Sequence, residues 1–282
     1  MKHLFRIVAV VTATIMMVGC NNMGEEISFG AEKQLTVDLS DSRTSLGASE
    51  NGRRAVYWSE GDCIAANGIS STKTSIDATN RSKAVFSFSS DLSYPCNILY
   101  PASFYKDNTT ITLPNTQPEA IDTFAPNTLP MATYIADEGE APCLHHLAGV
   151  IHLQIKVAPG YEDRAYKLLK VEFKGNNDEP VAGDFTINYE DASITPAEGG
   201  KAYSTVSAVV ANGELSEGEV KHIYIVVPAQ EYANGFRVRI IDKEGRFMDK
   251  TKASAEVIER GEVLKMPLLE FAHTGHIIIA GM

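Results

Sequence analysis

The 282-residue chain has a single tryptophan and four cysteines, and it lacks the short motifs that carry most enzyme chemistry. No G-x-S-x-G, H-E-x-x-H or G-x-x-x-x-G-K-[ST] is present, and no G-x-G-x-x-G follows a strand-like run. Without a nucleophile elbow, a zinc helix or a phosphate cradle, the chain is not expected to be an enzyme, and no cofactor is expected. Positive charge is also scarce: 25 Lys and Arg stand against 36 Asp and Glu, for a net charge of −11. No Lys/Arg cluster could track a phosphate backbone, so nucleic acid is not an expected partner. The longest apolar run, Ile7 to Val18, is well short of the roughly 20 residues a membrane-spanning helix needs.

Cys63, Cys96 and Cys143 fit no zinc or redox spacing, and each sits in an apolar, strand-like context. They read as small buried residues, with a single disulfide, in any pairing, as the other reading. No metal site is expected elsewhere. His145 and His146 are adjacent and would face opposite sides of a strand, so they cannot share an ion simply with His152. Asp242-Lys243-Glu244-Gly245 lacks the alternating ligands of a calcium loop and reads as a hairpin turn. Trp58 and the pairs Tyr94-Pro95 and Tyr100-Pro101 offer aromatic faces of the kind that stack on sugars. Trp58, however, lies in a strand pattern, where core packing is the expected outcome.

What is present begins at the N-terminus. Lys2, His3 and Arg6 precede the apolar run, which ends in Val18-Gly19-Cys20. This resembles a bacterial lipobox, which implies that residues 1–19 are a signal peptide and that Cys20 becomes an acylated N-terminus. Acyl chains would tether the protein to a membrane surface without spanning it. The other reading is an ordinary signal peptide cut nearby, with Cys20 unmodified. Removal of residues 1–19 would leave 263 residues with a net charge of −13, enough for two domains.

Downstream, apolar residues alternate at Ile27, Phe29, Leu35, Val37 and Leu39, the period of a half-buried strand. A polar loop, Ser40 to Ala55, carries Arg43, Arg53 and Arg54. Short strand-like runs then recur to Phe271, interrupted at residues 114–130 by Pro114, Pro118, Pro126 and Pro130, which mark a long excursion between strands. Only 144–149 and 253–259 have a claim to be short helices. More than ten short strands without a sustained 3.6-residue period predict an all-β fold of two tandem β-sandwich domains. The break at Pro159-Gly160 divides them into 27–158 and 159–282, preceded by a lipidated segment, 20–55, that overlaps the first strand.

An ordered set of short motifs gives this pattern a family likeness. Arg43-Thr44-Ser45-Leu46, Trp58-Ser59-Glu60-Gly61-Asp62, Tyr100-Pro101-Ala102, Leu129-Pro130-Met131-Ala132 and Leu144-His145-His146-Leu147-Ala148-Gly149 come first. Tyr224-Ile225-Val226-Val227-Pro228-Ala229, Gly235-Phe236-Arg237-Val238 and Gly261-Glu262-Val263 follow. Over residues 27–271 the chain resembles the fimbrillin-like lipoproteins, subunits of type V pili. The resemblance implies transthyretin-like sandwiches and an outer-membrane, lipid-anchored precursor destined for the cell surface and fimbrium. It further implies that an Arg-specific protease, cutting at Arg43, Arg53 or Arg54, removes the strand bearing Leu35, Val37 and Leu39. Partners would then be other pilus subunits joined by β-strand addition, with a host or bacterial surface ligand for an adhesin. The alternative is that this strand stays in place permanently. At the C-terminus, Ile277, Ile278 and Ile279 form either a last strand or a donor strand for the next subunit. A rival of a different class is a monomeric surface lipoprotein that binds glycans for nutrient uptake.

Overall fold

A computed structural model describes residues 33–39 and 57–278. In chain order its strands are β1 Lys33–Asp38, β2 Ala65–Ala66, β3 Ile69–Ser70, β4 Lys73–Ile76, β5 Lys83–Phe88 and β6 Cys96–Tyr100. Next come β7 Thr110–Leu113, β8 Thr116–Ala120, β9 Thr123–Phe124, β10 Met131–Ile135, β11 His145–His146 and β12 Ala148–Val157. These are followed by β13 Leu168–Gly175, β14 Ala182–Asn188, β15 Ser193–Pro196, β16 Ala202–Tyr203, β17 Thr205–Val209 and β18 Lys221–Pro228. The last are β19 Gln230–Tyr232, β20 Phe236–Asp242, β21 Arg246–Lys252, β22 Glu256–Ile258, β23 Val263–Lys265, β24 Leu269–Phe271 and β25 Gly275–His276. Two single-turn 3-10 helices, Ala102–Phe104 and Glu162–Arg164, are the helical elements among the described residues. The fold is all-β and of sandwich type, as the strand count in the sequence predicts.

The first core lies between a three-stranded sheet, β1-β5-β4, and a five-stranded sheet, β11-β10-β6-β2-β3. Leu35, Val37, Phe86 and Phe88 meet Cys96, Ile98, Tyr100, Met131 and Ile135 across this space. The five-stranded sheet is buried on its other face too. Leu99 and Ala132, the alternate positions of β6 and β10, pack against Ile111 and Leu113 of β7 and Phe185 and Ile187 of β14. Burial on both faces explains why Cys96-Asn97-Ile98-Leu99-Tyr100 is nearly continuous in apolar character rather than alternating. β7 is tied to β14 by Asp184, which accepts hydrogen bonds from Lys106 Nζ at 2.8 Å, Thr112 Oγ1 at 2.7 Å and the Lys201 N–H at 3.0 Å. Lys106 beside it, with the other two donors, holds the Asp184 carboxyl well below the usual carboxylate range.

The second core forms where β18-β12-β23, with β24 alongside, faces the sheet β25-β21-β20-β13-β17-β8-β9. Ile151, Leu153, Ile155, Ile223 and Ile225 interdigitate with Val171, Phe173, Val206, Val238 and Ile240. β7 and β8, which precede residue 158, pair with β14 and β17, which follow it.

Three sequence expectations are corrected. Residues 144–149 contain no helix: β11 and the start of β12 run through them, with His145 exposed and His146 buried, the period of two that a strand imposes. Residues 253–259 likewise hold β22, paired to β19 from Gln230↔Ile258 to Tyr232↔Glu256. The proline-rich stretch 114–130 is not merely an excursion, since it supplies β8 and β9. Pro118, with no N–H to give, stands opposite Val209 and just short of the Glu119–Ala120 pairing with β9, so β9 asks no bond of it. The 242–245 segment does turn β20 into β21, with Gly245 at a φ of 82°.

Candidate functional site

β1 is short, flanked by polar sequence, and alternates strictly. Leu35 and Val37 point into the first core, with Leu39 just beyond the strand, while Gln34 and Thr36 face outward. Val37 has no exposed surface. Each such side chain contributes roughly 1.5–3 kcal/mol by leaving water, so these three anchor β1 more strongly than its polar contacts do. The ladder is one-sided: β1 pairs antiparallel with β5, from Lys33↔Phe88 to Asp38↔Lys83, and ends its sheet. The ion pairs at its two ends lie near the surface. Lys33 pairs with Glu138, and Asp38 meets Lys83 at 3.3 Å and accepts the Ser82 hydroxyl at 2.9 Å. Ion pairs this close to solvent add little to stability, because water and salt screen them.

Leu39 and Trp58 are bound at adjacent places: the Leu39 N–H bonds to Ser82 O at 2.9 Å and the Trp58 N–H to Arg81 O at 3.0 Å. Trp58 itself is buried, set edge-on to Phe86 at 4.9 Å and to Tyr100 at 5.3 Å. It is a core residue, as expected, and not a surface platform, although it lies outside any strand rather than in the one its sequence pattern suggests. Below it the Tyr100 hydroxyl donates to Asp62 at 2.9 Å and accepts the Asn127 N–H at 3.3 Å. Burial pushes the Asp62 carboxyl up, against the Ser59 N–H and the Tyr100 hydroxyl, which hold it down. The walls facing β1 are built on β5, β6 and β10.

The remaining candidate residues fall as follows. Cys20, Arg43, Arg53, Arg54 and Ile279, together with Ile27 and Phe29, lie outside the described residues. Ile277 and Ile278 extend beyond β25, a two-residue strand on the edge of β21. The Ile277 N–H reaches Gly245 O at 2.8 Å, and Ile278 is almost fully exposed. Cys96 is a buried free thiol whose pKa burial pushes up to about 11. Cys63 is half-buried and exchanges hydrogen bonds with Ser71, and Cys143 is half-buried. His146 is buried, and burial above all, with neighbouring His145, pulls its pKa down to about 4. His152 stacks on Tyr224 at 4.4 Å and meets His222 nitrogen to nitrogen at 2.8 Å, so one ring of that pair carries the proton that the other accepts.

The sequence reading overlooked Gln117, which binds the main chain of β18 at Val226, and Glu119, which accepts the Ala211 N–H just beyond β17. Isolated polar residues in a proline-rich stretch give no periodic signal.

The chain matches no family model and no curated protein. Among solved structures it is similar to three candidate cell adhesion proteins. One from Bacteroides ovatus is 12% identical, with 89% of this chain and all of that one covered and a TM-score of 0.49. One from Bacteroides uniformis is 13% identical, covering 86% and 94%, with a TM-score of 0.47. The third, from Bacteroides fragilis, is 11% identical, covering 86% and 92%, with a TM-score of 0.42.

Proposed function

We propose that the protein is a surface-exposed fimbrial subunit or pilus-associated adhesin, assembled by strand exchange after its first strand is cut away. The observation that carries this reading is β1: a one-sided edge strand whose chief anchors are Leu35, Val37 and Leu39 in the first core. Its removal would leave a slot lined by Phe86, Phe88 and Ile98, with one edge of β5 unpaired. A strand of alternating apolar residues from another subunit would satisfy both, the main chain giving attraction and the alternate side chains giving register. Arg43, Arg53 and Arg54 supply the cleavage points, and Cys20 carries the lipid that holds the uncut precursor at the outer membrane. Ile277, Ile278 and Ile279 are the candidate donor on the next subunit. In this role the protein is not an enzyme, and its partners are other pilus subunits and a ligand on a host or bacterial surface.

The test is an Arg-specific protease applied to the purified lipidated chain, followed by mass spectrometry and SDS electrophoresis without boiling. Loss of the segment through Arg43, Arg53 or Arg54, with growth of SDS-resistant oligomers, is the expected result. A chain that stays monomeric before and after the cut would overturn the proposal and favour the glycan-binding lipoprotein.

A further inference from the structure

The second core has a seam where its two sheets come side by side, between β18 and a strand, β17, that would be an edge were β8 not paired to it. β18 ends its own sheet. β17 has β13 on one side and, on the other, β8, a strand that precedes it by about 90 residues. The pairing of β8 with β17 is parallel, from Ser207↔Thr116 to Val209↔Pro118, an arrangement that no local hairpin can produce. The Ser207 N–H also reaches Asn115 O at 3.0 Å.

From β8 the side chain of Gln117 crosses the seam. It is buried, and its carboxamide imitates a peptide group: Nε2 donates to Val226 O at 2.7 Å, while Oε1 accepts the Val226 N–H at 2.9 Å. β18 thereby receives from one side chain the donor and acceptor that a neighbouring strand would give. Two residues on, and so on the same side of β8, Glu119 accepts the Ala211 N–H at 2.8 Å and lies 3.5 Å from Lys221, at the start of β18. Phe124, across the β8–β9 hairpin, packs with Leu129 against Val150, Tyr224 and Val226. Main chain, amide, carboxylate and ring all bind the same seam.

We infer that the β8–β9 hairpin is a strand donated in cis, which seals the seam between β17 and β18 and keeps both edges from accepting strands of other molecules. Strand edges left open recruit partners indiscriminately. With this edge closed internally, the groove under β1 becomes the place where assembly is controlled. That consequence rests on the strand-exchange reading, whereas the sealing itself does not.

The experiment is native-state hydrogen exchange and light scattering on the full mature chain with no protease added, comparing wild type with Gln117→Leu. Exchange at the Val226 amide should rise at least tenfold. A matching rise is expected at Ser207 and Ala211, whose N–H groups bond to Asn115 and Glu119 and not to Gln117. Val85, in β5, should keep its rate, and the variant should self-associate where wild type stays monomeric. If Gln117→Leu fails to fold, Glu119→Gln, which retains its shape and its acceptor oxygen, should show the same joint acceleration at Ala211 and Val226 to a smaller degree. Acceleration confined to the amide that loses its own partner, or a variant that stays monomeric with the seam open, would overturn the inference. Failure of the strand-exchange reading would show instead in protease-treated wild type.

Discussion

Replacing Val37 by alanine tests whether β1 is held by what it buries. Val37 is fully enclosed within the first core and stands opposite Ala84 in the register with β5. The substitution removes two methyl groups, about 1.6 kcal/mol at roughly 0.8 kcal/mol each, and leaves a cavity that its neighbours on β5 and β6 cannot readily fill. The total should be about 2–3 kcal/mol. For a chain of this size that corresponds to a fall in Tm of roughly 5–10 °C. The assay is built in, because Trp58 is the only tryptophan and belongs to the same cluster, so its fluorescence reports on this core. Thr36→Ala is the control: Thr36 is on the same strand and exposed, and its loss should change stability by less than about 0.5 kcal/mol. Equal shifts for the two variants would refute the reasoning, since β1 would then be held by its ladder and not by its side chains.

Acid should weaken the fold through His146, whose pKa is about 4 in the folded chain against an ordinary 6.5. The depressed value means that the unfolded chain binds the proton first, so stability is complete above about pH 6.5 and is lost as pH falls toward 4, by up to about 3 kcal/mol. His146→Phe should flatten that part of the pH profile in urea titrations, and an unchanged profile would remove His146 as the cause. Gly183 has a φ of 102° and no room for a Cβ, which would run into the Lys201 carbonyl, an oxygen already holding the Asp184 N–H at 2.7 Å. Gly183→Ala should therefore cost at least about 2 kcal/mol in thermal unfolding, against about 1–2 kcal/mol for Gly199→Ala, where φ is 67° but the space is open. Equal costs would mean that the contact with Lys201 is easily relieved.

Local pattern was sufficient for some features of this protein. Alternation at Leu35, Val37 and Leu39 gave the inward face of β1, because a strand's side chains alternate whatever it packs against. Asp242 to Gly245 read as a turn because a glycine at positive φ is a local requirement. Other features had no local signature. The helical expectations at 144–149 and 253–259 failed because in short apolar stretches a period of two and one of 3.6 look alike, and pairing with β10 and β19 decided the matter. The double burial of β6 and β10 required a third layer, β7 and β14, drawn from distant parts of the chain.

The sequence by itself determined an all-β chain, poor in catalytic motifs, whose first strand is apolar on one face and followed in sequence by Arg43, Arg53 and Arg54. Only the tertiary structure decided that this strand lies at a sheet edge with a single partner, and that Gln117 and Glu119 reach the main chain of Val226 and Ala211. The physical reason is one of range. Which face of a strand is apolar is written in neighbouring residues, whereas which strand lies beside it depends on the joint burial of segments up to about 100 residues apart.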